Sequence, residues 1–231
     1  MSMAIHVHSI RREAIEKLTA TPLSTRRQRT RAKLLEAGSI LFVQNGILGT
    51  SVGDICEAAG FSRGAFYSNF ADMDHFIQIL AEDQWGRILT TTMDAFASKD
   101  IPIIHGSSDD ETLTSTKLLA SRILAALPIS RDFYLLLTEF STYLARSHNK
   151  ENPLYEGAEA FKKQLSAVIE SKLSDIGRRS ILSAPDLVNM ILALAERSMI
   201  LALTHHDEDL TAYLVRTLPS VLVKLTVPVS N

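Results

Sequence analysis

Three clusters of side chains in this 231-residue chain have types and spacings that could do chemistry. Arg63, Gly64, Ala65, Tyr67, Ser68 and Asn69 set a guanidinium, a phenol, a hydroxyl and an amide beside two nearly bare backbone positions, with no acid among them. A face so small and polar can press its backbone against base edges and phosphates. A basic run, Arg26, Arg27, Arg29, Arg31 and Lys33, can neutralise a polyanion. The third cluster is His205, His206, Asp207, Glu208 and Asp209, a dense run of metal-capable groups. It falls at an expected turn between helices, where acids also cap the helix that follows, and capping is the preferred reading. His6 and His8 alternate like a metal pair but lack a third ligand. Neither a nucleophile elbow, a phosphate-binding glycine loop nor an HExxH pattern is present, so no catalytic residue, cofactor or metal is expected. An all-helical metal-dependent enzyme built on residues 205–209 is the rival from another class.

Two short helices joined by a tight turn would position the first cluster. Ser51 is a good N-cap for a helix whose apolar residues Val52, Ile55, Ala58 and Ala59 recur at three and four. Gly60 supplies the left-handed conformation that ends it, Phe61 anchors the turn, and Ser62 caps the next helix. Phe66 and Phe70, four apart, hold that second helix against the core. Upstream, residues 26–46 open with the basic run and continue as an amphipathic helix with Leu34, Ala37, Gly38, Leu41 and Phe42 on one face. The result is a helix-turn-helix whose second helix can enter a DNA groove. Charge agrees: residues 1–70 hold nine Lys and Arg against five Asp and Glu, while residues 71–231 hold fifteen against twenty-one. The near-neutral total hides a basic end on an acidic body.

Residues 25–80 resemble the N-terminal domain of the TetR family of transcriptional regulators. The matching elements are the basic start at residues 26–33, Phe42 with Gly46, Thr50 with Ser51, Ala59 with Gly60, and a Gly-x-hydrophobic-Tyr-x-x-Phe pattern over 64–70. The resemblance implies an all-α protein: a three-helix helix-turn-helix DNA-binding head joined by a long helix to an all-helical ligand-binding and dimerisation body. The expected division is an extension over 1–24, the DNA-binding domain over 25–71 and the body over 72–231. By the same resemblance Thr50 and Ser51 would offer a hydroxyl and backbone N–H groups to a phosphate. Arg63, Gly64 and Ala65, with Ser62 beside them, would face base edges, Tyr67 would reach a phosphate, and Ser68 or Asn69 would touch backbone or base. Arg26, Arg27 and Arg29 would lie along the backbone or in the flanking minor groove. The chain departs from the family at Met73, where a lysine is common, so residues 26–31 are expected to carry most of the phosphate grip.

With 46% hydrophobic residues the chain can bury a large core, and it shows neither a secretory signal nor an apolar run of transmembrane length, which predicts a cytoplasmic protein. The single cysteine, Cys56, reads as a buried spacer. Ser9 to Leu18 reads as a small amphipathic helix, either a frayed extension or an extra arm carrying Arg11, Arg12 and Lys17. Helices are expected at about 72–97, 112–127, 130–148, 153–176, 184–206 and 209–226, with Pro219 kinking or restarting the last and a loop over 98–111. No strand pairing is signalled.

The last two helices are apolar on nearly every side, which predicts a homodimer joined through them in a four-helix bundle, and therefore a palindromic operator on double-stranded DNA. Trp85, Phe96, Phe133, Phe140 and Tyr143 are candidates for a pocket holding a small apolar or amphipathic ligand, although each aromatic taken singly is more often plain core. Glu139, Arg146 and Arg197, charges inside apolar helices, are either paired at an interface or polar anchors for that ligand. The functional expectation is a repressor released from its operator by a small-molecule inducer; a structural DNA-binding protein of the same fold without an inducer is the other DNA-binding reading.

Overall fold

The computed structural model describes residues 24–97, 129–147, 152–206 and 209–229, with the single positions 110, 111, 114, 117, 118, 121 and 124. The expectations placed on residues 1–23, on the loop 98–109 and on Asp207 and Glu208 fall outside them. Helices run α1 Thr25–Asn45, α2 Val52–Ala59, α3 Arg63–Tyr67, α4 Met73–Ala97, α5 Arg131–Arg146, α6 Pro153–Asp175, α7 Ala184–His205 and α8 Ala212–Lys224. The described positions between 110 and 124 are helical as well.

The chain divides into two compact units. Among the described residues the first holds 24–83, 135–147 and 152–157. It extends beyond the 25–71 span read from the sequence because Phe76, Ile77 and Leu80 of α4 complete the core that α1, α2 and α3 begin. Phe66, Phe70 and Phe76 meet edge-on or tilted, with ring centroids 4.8 to 5.4 Å apart, and Phe42 closes on Phe76 at 6.0 Å. All four are fully buried. Gly38 of α1 is required by this cluster, since an added Cβ would stand 2.4 Å from the Phe76 ring. Asp72 starts α4 by accepting from the His75 N–H at 2.7 Å.

The second unit holds the rest of α4, the helical positions up to 124, 129–134, 158–206 and 209–229. Trp85 stacks on Phe161 at 5.9 Å, and Leu124, Leu214 and Leu218 form a buried cluster flanked by Ile191 and Leu194 of α7. Ser198 of α7, fully buried, accepts from the Leu214 N–H at 3.0 Å and so supplies the cap that Thr211 does not give α8. Pro219 lies inside α8, which runs unbroken through it.

Sequence reading missed a ribbon. β1 Arg178–Ser180 pairs antiparallel with β2 Thr226–Pro228, in the register Arg179↔Val227. Three residues per strand are too few to show a period of two. The buried Arg178 donates to Thr226 Oγ1 at 2.8 Å, to Thr226 O at 2.6 Å and to Val223 O at 3.1 Å, which closes the C-terminal end of α8.

The expectation of no apolar run of transmembrane length does not hold for α7. Within its 22 residues an 18-residue stretch reaches a mean hydropathy of 1.6, enough to span a membrane by length and composition alone. Only 28% of that stretch is buried within the chain.

Candidate nucleic-acid interface

Local rules build α2, the turn and α3. Ser51 Oγ accepts from the Asp54 N–H at 3.2 Å while Asp54 Oδ2 accepts from the Ser51 N–H at 2.8 Å, a reciprocal capping box. These bonds hold the exposed Asp54 carboxyl below its ordinary range, the Ser51 hydroxyl contributing most. Gly60 adopts φ 72° and the Phe61 N–H returns to Cys56 O at 2.9 Å, which ends α2 and swings the chain into the turn. Ser62 Oγ then accepts from the Ala65 N–H at 3.2 Å and starts α3. Cys56 lies on the buried face of α2, and that burial pushes its thiol pKa up, as suits a spacer.

On α3 the residues divide by direction. Ser62, Arg63, Gly64, Tyr67 and Ser68 are exposed, Ala65 is half-buried, and Phe66 points fully inward. Tyr67 leaves 53% of its surface open while its ring leans edge-on against Phe66. A Cβ added to Gly64 would meet only Ser62 Oγ, at 3.7 Å, so nothing inside the protein demands a glycine there. Its bareness serves whatever approaches from outside. Arg63 is exposed yet folded back: a Cβ on Gly53 would stand 2.9 Å from its Nη2, and it must turn outward to reach a base.

Two expected contact residues are engaged in the fold instead. Thr50 is buried, and its hydroxyl donates to Gly46 O at 2.9 Å while its N–H points to Ile47 O at 3.3 Å, so it closes the loop after α1 and is not placed to offer a hydroxyl to a phosphate. Asn69 is buried too, with Nδ2 donating to Ala65 O at 2.8 Å. Ser51 stays exposed at the first turn of α2.

The basic run splits as well. Arg26, Arg29 and Lys33 are exposed. Arg27 instead donates through Nη2 to Ser68 O at 2.8 Å, and Arg31 sits over the Phe70 ring at 5.5 Å. Burial, then the neighbouring Arg27 charge, lowers the Arg31 pKa from its ordinary value. Positions 27 and 31 are one helical turn apart, so one stripe of α1 faces the head while the rest of its charge faces water.

Glu139, which the sequence leaves as an interface charge or ligand anchor, has a partner in the head: Oε2 accepts from the Ile47 N–H at 2.9 Å, at the joint between α1 and α2. Tyr143 donates its hydroxyl to Asp74 Oδ1 at 2.5 Å. The ligand candidates are thus distributed. Phe140, buried, and Tyr143 lie in the first unit; Trp85, buried, the half-buried Phe133 and the exposed Arg197 lie in the second; the Phe96 side chain is outside the described residues. The described members of the 205–209 run serve the helix ends: His206 takes φ 57° to close α7, and Asp209 Oδ1 accepts from the Thr211 N–H and hydroxyl at 2.8 and 2.7 Å.

Comparison with known proteins agrees with this geometry. Residues 34–78 match the model of a family described as bacterial regulatory proteins, tetR family. The HTH-type transcriptional regulator TtgR of Pseudomonas putida is 38% identical over 55 residues, which are 24% of this chain and 26% of that protein. AcrR of Shigella flexneri is 42% identical over 64 residues, 26% of this chain and 30% of that protein. The aligned stretch therefore covers under a third of either relative. Among solved structures, the regulator FadR of Bacillus subtilis in complex with stearoyl-CoA aligns over 83% of this chain and 97% of its own at a TM-score of 0.62 and 14% identity. A TetR-family regulator from Rhodococcus sp. aligns over 86% and 98% at 0.61 and 17%. At such identities the structures speak for the all-α fold.

Proposed function

We propose that this chain, whose helix-turn-helix head is that of the TetR family, is a sequence-specific DNA-binding transcriptional regulator, a repressor released from a palindromic operator by a small-molecule inducer. The observation that carries the reading is the outward face of α3, where Arg63, Tyr67 and Ser68 stand exposed around a glycine that nothing in the protein requires. Ser51, Ser62 and Ala65 flank that face, and Arg26 and Arg29 add exposed positive charge.

A homodimer through α7 and α8 supports a palindromic site. α7 leaves Met190 46% and Ile200 37% exposed, on a helix apolar enough to demand cover. The exposed Arg197 on the same helix suits an interface better than a buried ligand anchor. Among inducers, an amphipathic molecule with a long apolar chain is the class to test first, because the similarly folded FadR carries stearoyl-CoA. A cytoplasmic location follows from the DNA target.

The test is selection of duplexes from a random library and from the DNA flanking the coding region, with binding measured at rising salt. A selected palindrome should bind roughly a thousandfold or more above random DNA. Equal affinity for both would overturn the reading.

A further inference from the structure

We infer that Arg27 is a positioning residue for the recognition helix α3, tying its end to the start of α1, and not a phosphate contact; this rests on the DNA-binding reading above and deepens it. The bond from Arg27 Nη2 to Ser68 O spans 41 residues of sequence at 2.8 Å. Ser68 is the residue on which α3 ends. A five-residue helix cannot persist alone, and its terminal carbonyls carry the negative end of the peptide dipoles. α3 has no basic residue in its own last turn, so the guanidinium of another helix fills that place with a charge-assisted bond.

The rest of the joint is closed in the same sense. Ser68 Oγ donates to Ala65 O at 2.9 Å and Asn69 Nδ2 to the same oxygen at 2.8 Å. Arg27 Nε and Asn69 Oδ1 are both buried in this joint without a hydrogen-bond partner, which places the Arg27 side chain inside the packing, unlike the exposed Arg26 and Arg29. One turn further along α1, Arg31 covers Phe70, the residue that anchors the other side of the α3 end. The stripe of α1 bearing residues 27 and 31 therefore fixes where α3 points.

A phosphate contact and a positioning bond fail differently. Losing one phosphate contact lowers specific and random binding alike and reduces the salt slope by about 0.9. Losing a positioning bond loosens α3, erodes discrimination between sequences and leaves the slope in place. The full chain would be compared with Arg27→Met, Arg27→Lys and Arg26→Met, using the selected duplex and a random one. Arg27→Met should cut the ratio of specific to random affinity by about tenfold with an unchanged slope, and Arg27→Lys should restore part of it. Arg26→Met should lower the slope and keep the ratio. A readout without DNA runs beside it: amide hydrogen exchange over residues 64–70 should quicken about tenfold in Arg27→Met and stay unchanged in Arg26→Met. Should Arg27→Met fail to fold, Arg27→Lys carries the measurement, with intermediate exchange expected. Wild-type exchange in the folded Arg27 variants, or a slope lowered by about 0.9 with the ratio intact, overturns the inference. If wild type selects no duplex, the DNA-binding reading fails and exchange alone decides the role of Arg27.

Discussion

The helix-turn-helix and the C-terminal pair α7–α8 are both rich in apolar sequence, and they dispose of it in opposite ways. In the head the aromatic core turns inward: Leu34, Phe42, Ile55, Phe66, Phe70 and Phe76 are fully buried, while Ile40 and Leu48 stay exposed, and α1, α2 and α3 each start on a serine cap. In α7 only Leu187, Val188, Ser198, Met199 and Ala202 are buried, on a helix whose overall hydropathy is far higher than that of α1. The head buries its aromatic cluster and leaves on α3 a polar face suited to a ligand that is itself polar. The C-terminal pair leaves apolar surface, the ground on which a second copy is proposed to cover it.

The strictest test of this contrast is a pair of substitutions read against protein concentration. Phe76→Ala removes the ring on which Phe42, Phe66 and Phe70 converge, and should destabilise the chain by about 3–5 kcal/mol in urea unfolding. That loss should be the same at every protein concentration. Ile200→Glu puts a charge on the exposed face of α7 and should shift the monomer–dimer equilibrium in sedimentation by about tenfold or more, while the isolated protomer stays folded. A concentration-independent loss for Ile200→Glu would mean that this face belongs to the protomer's own core, and the contrast would collapse.

How much is legible in the sequence follows the same divide between local and distant causes. Ser51, Gly60, Ser62 and the Phe66–Phe70 pair act within a few residues, and the structure has them in the expected places, with Asp54 completing the Ser51 cap. By residue type Arg27, Thr50 and Asn69 read as DNA contacts, but each also serves a bare carbonyl: Thr50 and Asn69 one four residues back, Arg27 one that only the approach of α1 to α3 supplies. Glu139 cannot be assigned from sequence because its partner lies 92 residues away. Ser198 looks like one polar interruption in an apolar stripe; it caps a neighbouring helix, a role that exists only after α7 and α8 pack.

Smaller effects refine the account of the head's outer face. Tyr67→Phe removes one exposed hydroxyl and should weaken binding to selected and random duplexes alike by about tenfold or less, since a phosphate contact carries no sequence information. Arg63→Met should change which sequences a random library yields, at about 1–3 kcal/mol for the base that is read. If Tyr67→Phe alone abolishes discrimination while Arg63→Met leaves the selected sequence unchanged, the two roles are reversed.

The smallest effect compares the two regions in the same chemistry. Asp54 in the head and Asp209 at the entry to α8 are exposed carboxylates held below their ordinary range, the first chiefly by the Ser51 hydroxyl and the second chiefly by the Thr211 hydroxyl. A carboxyl whose pKa is lower folded than unfolded binds its proton more readily in the unfolded chain. Its stabilisation is therefore complete above the ordinary aspartate value of about 3.9 and fades as pH falls through the lower, folded value. Asp54→Asn should leave a head whose stability falls less steeply in acid, with wild type and variant converging below about pH 4. Asp209→Asn should do the same for the second unit, because Asp209 holds the start of α8 within the protomer. An acid limb in urea unfolding that is unchanged in both Asp54→Asn and Asp209→Asn would show that neither carboxylate is held by its hydroxyl partner as the geometry has it.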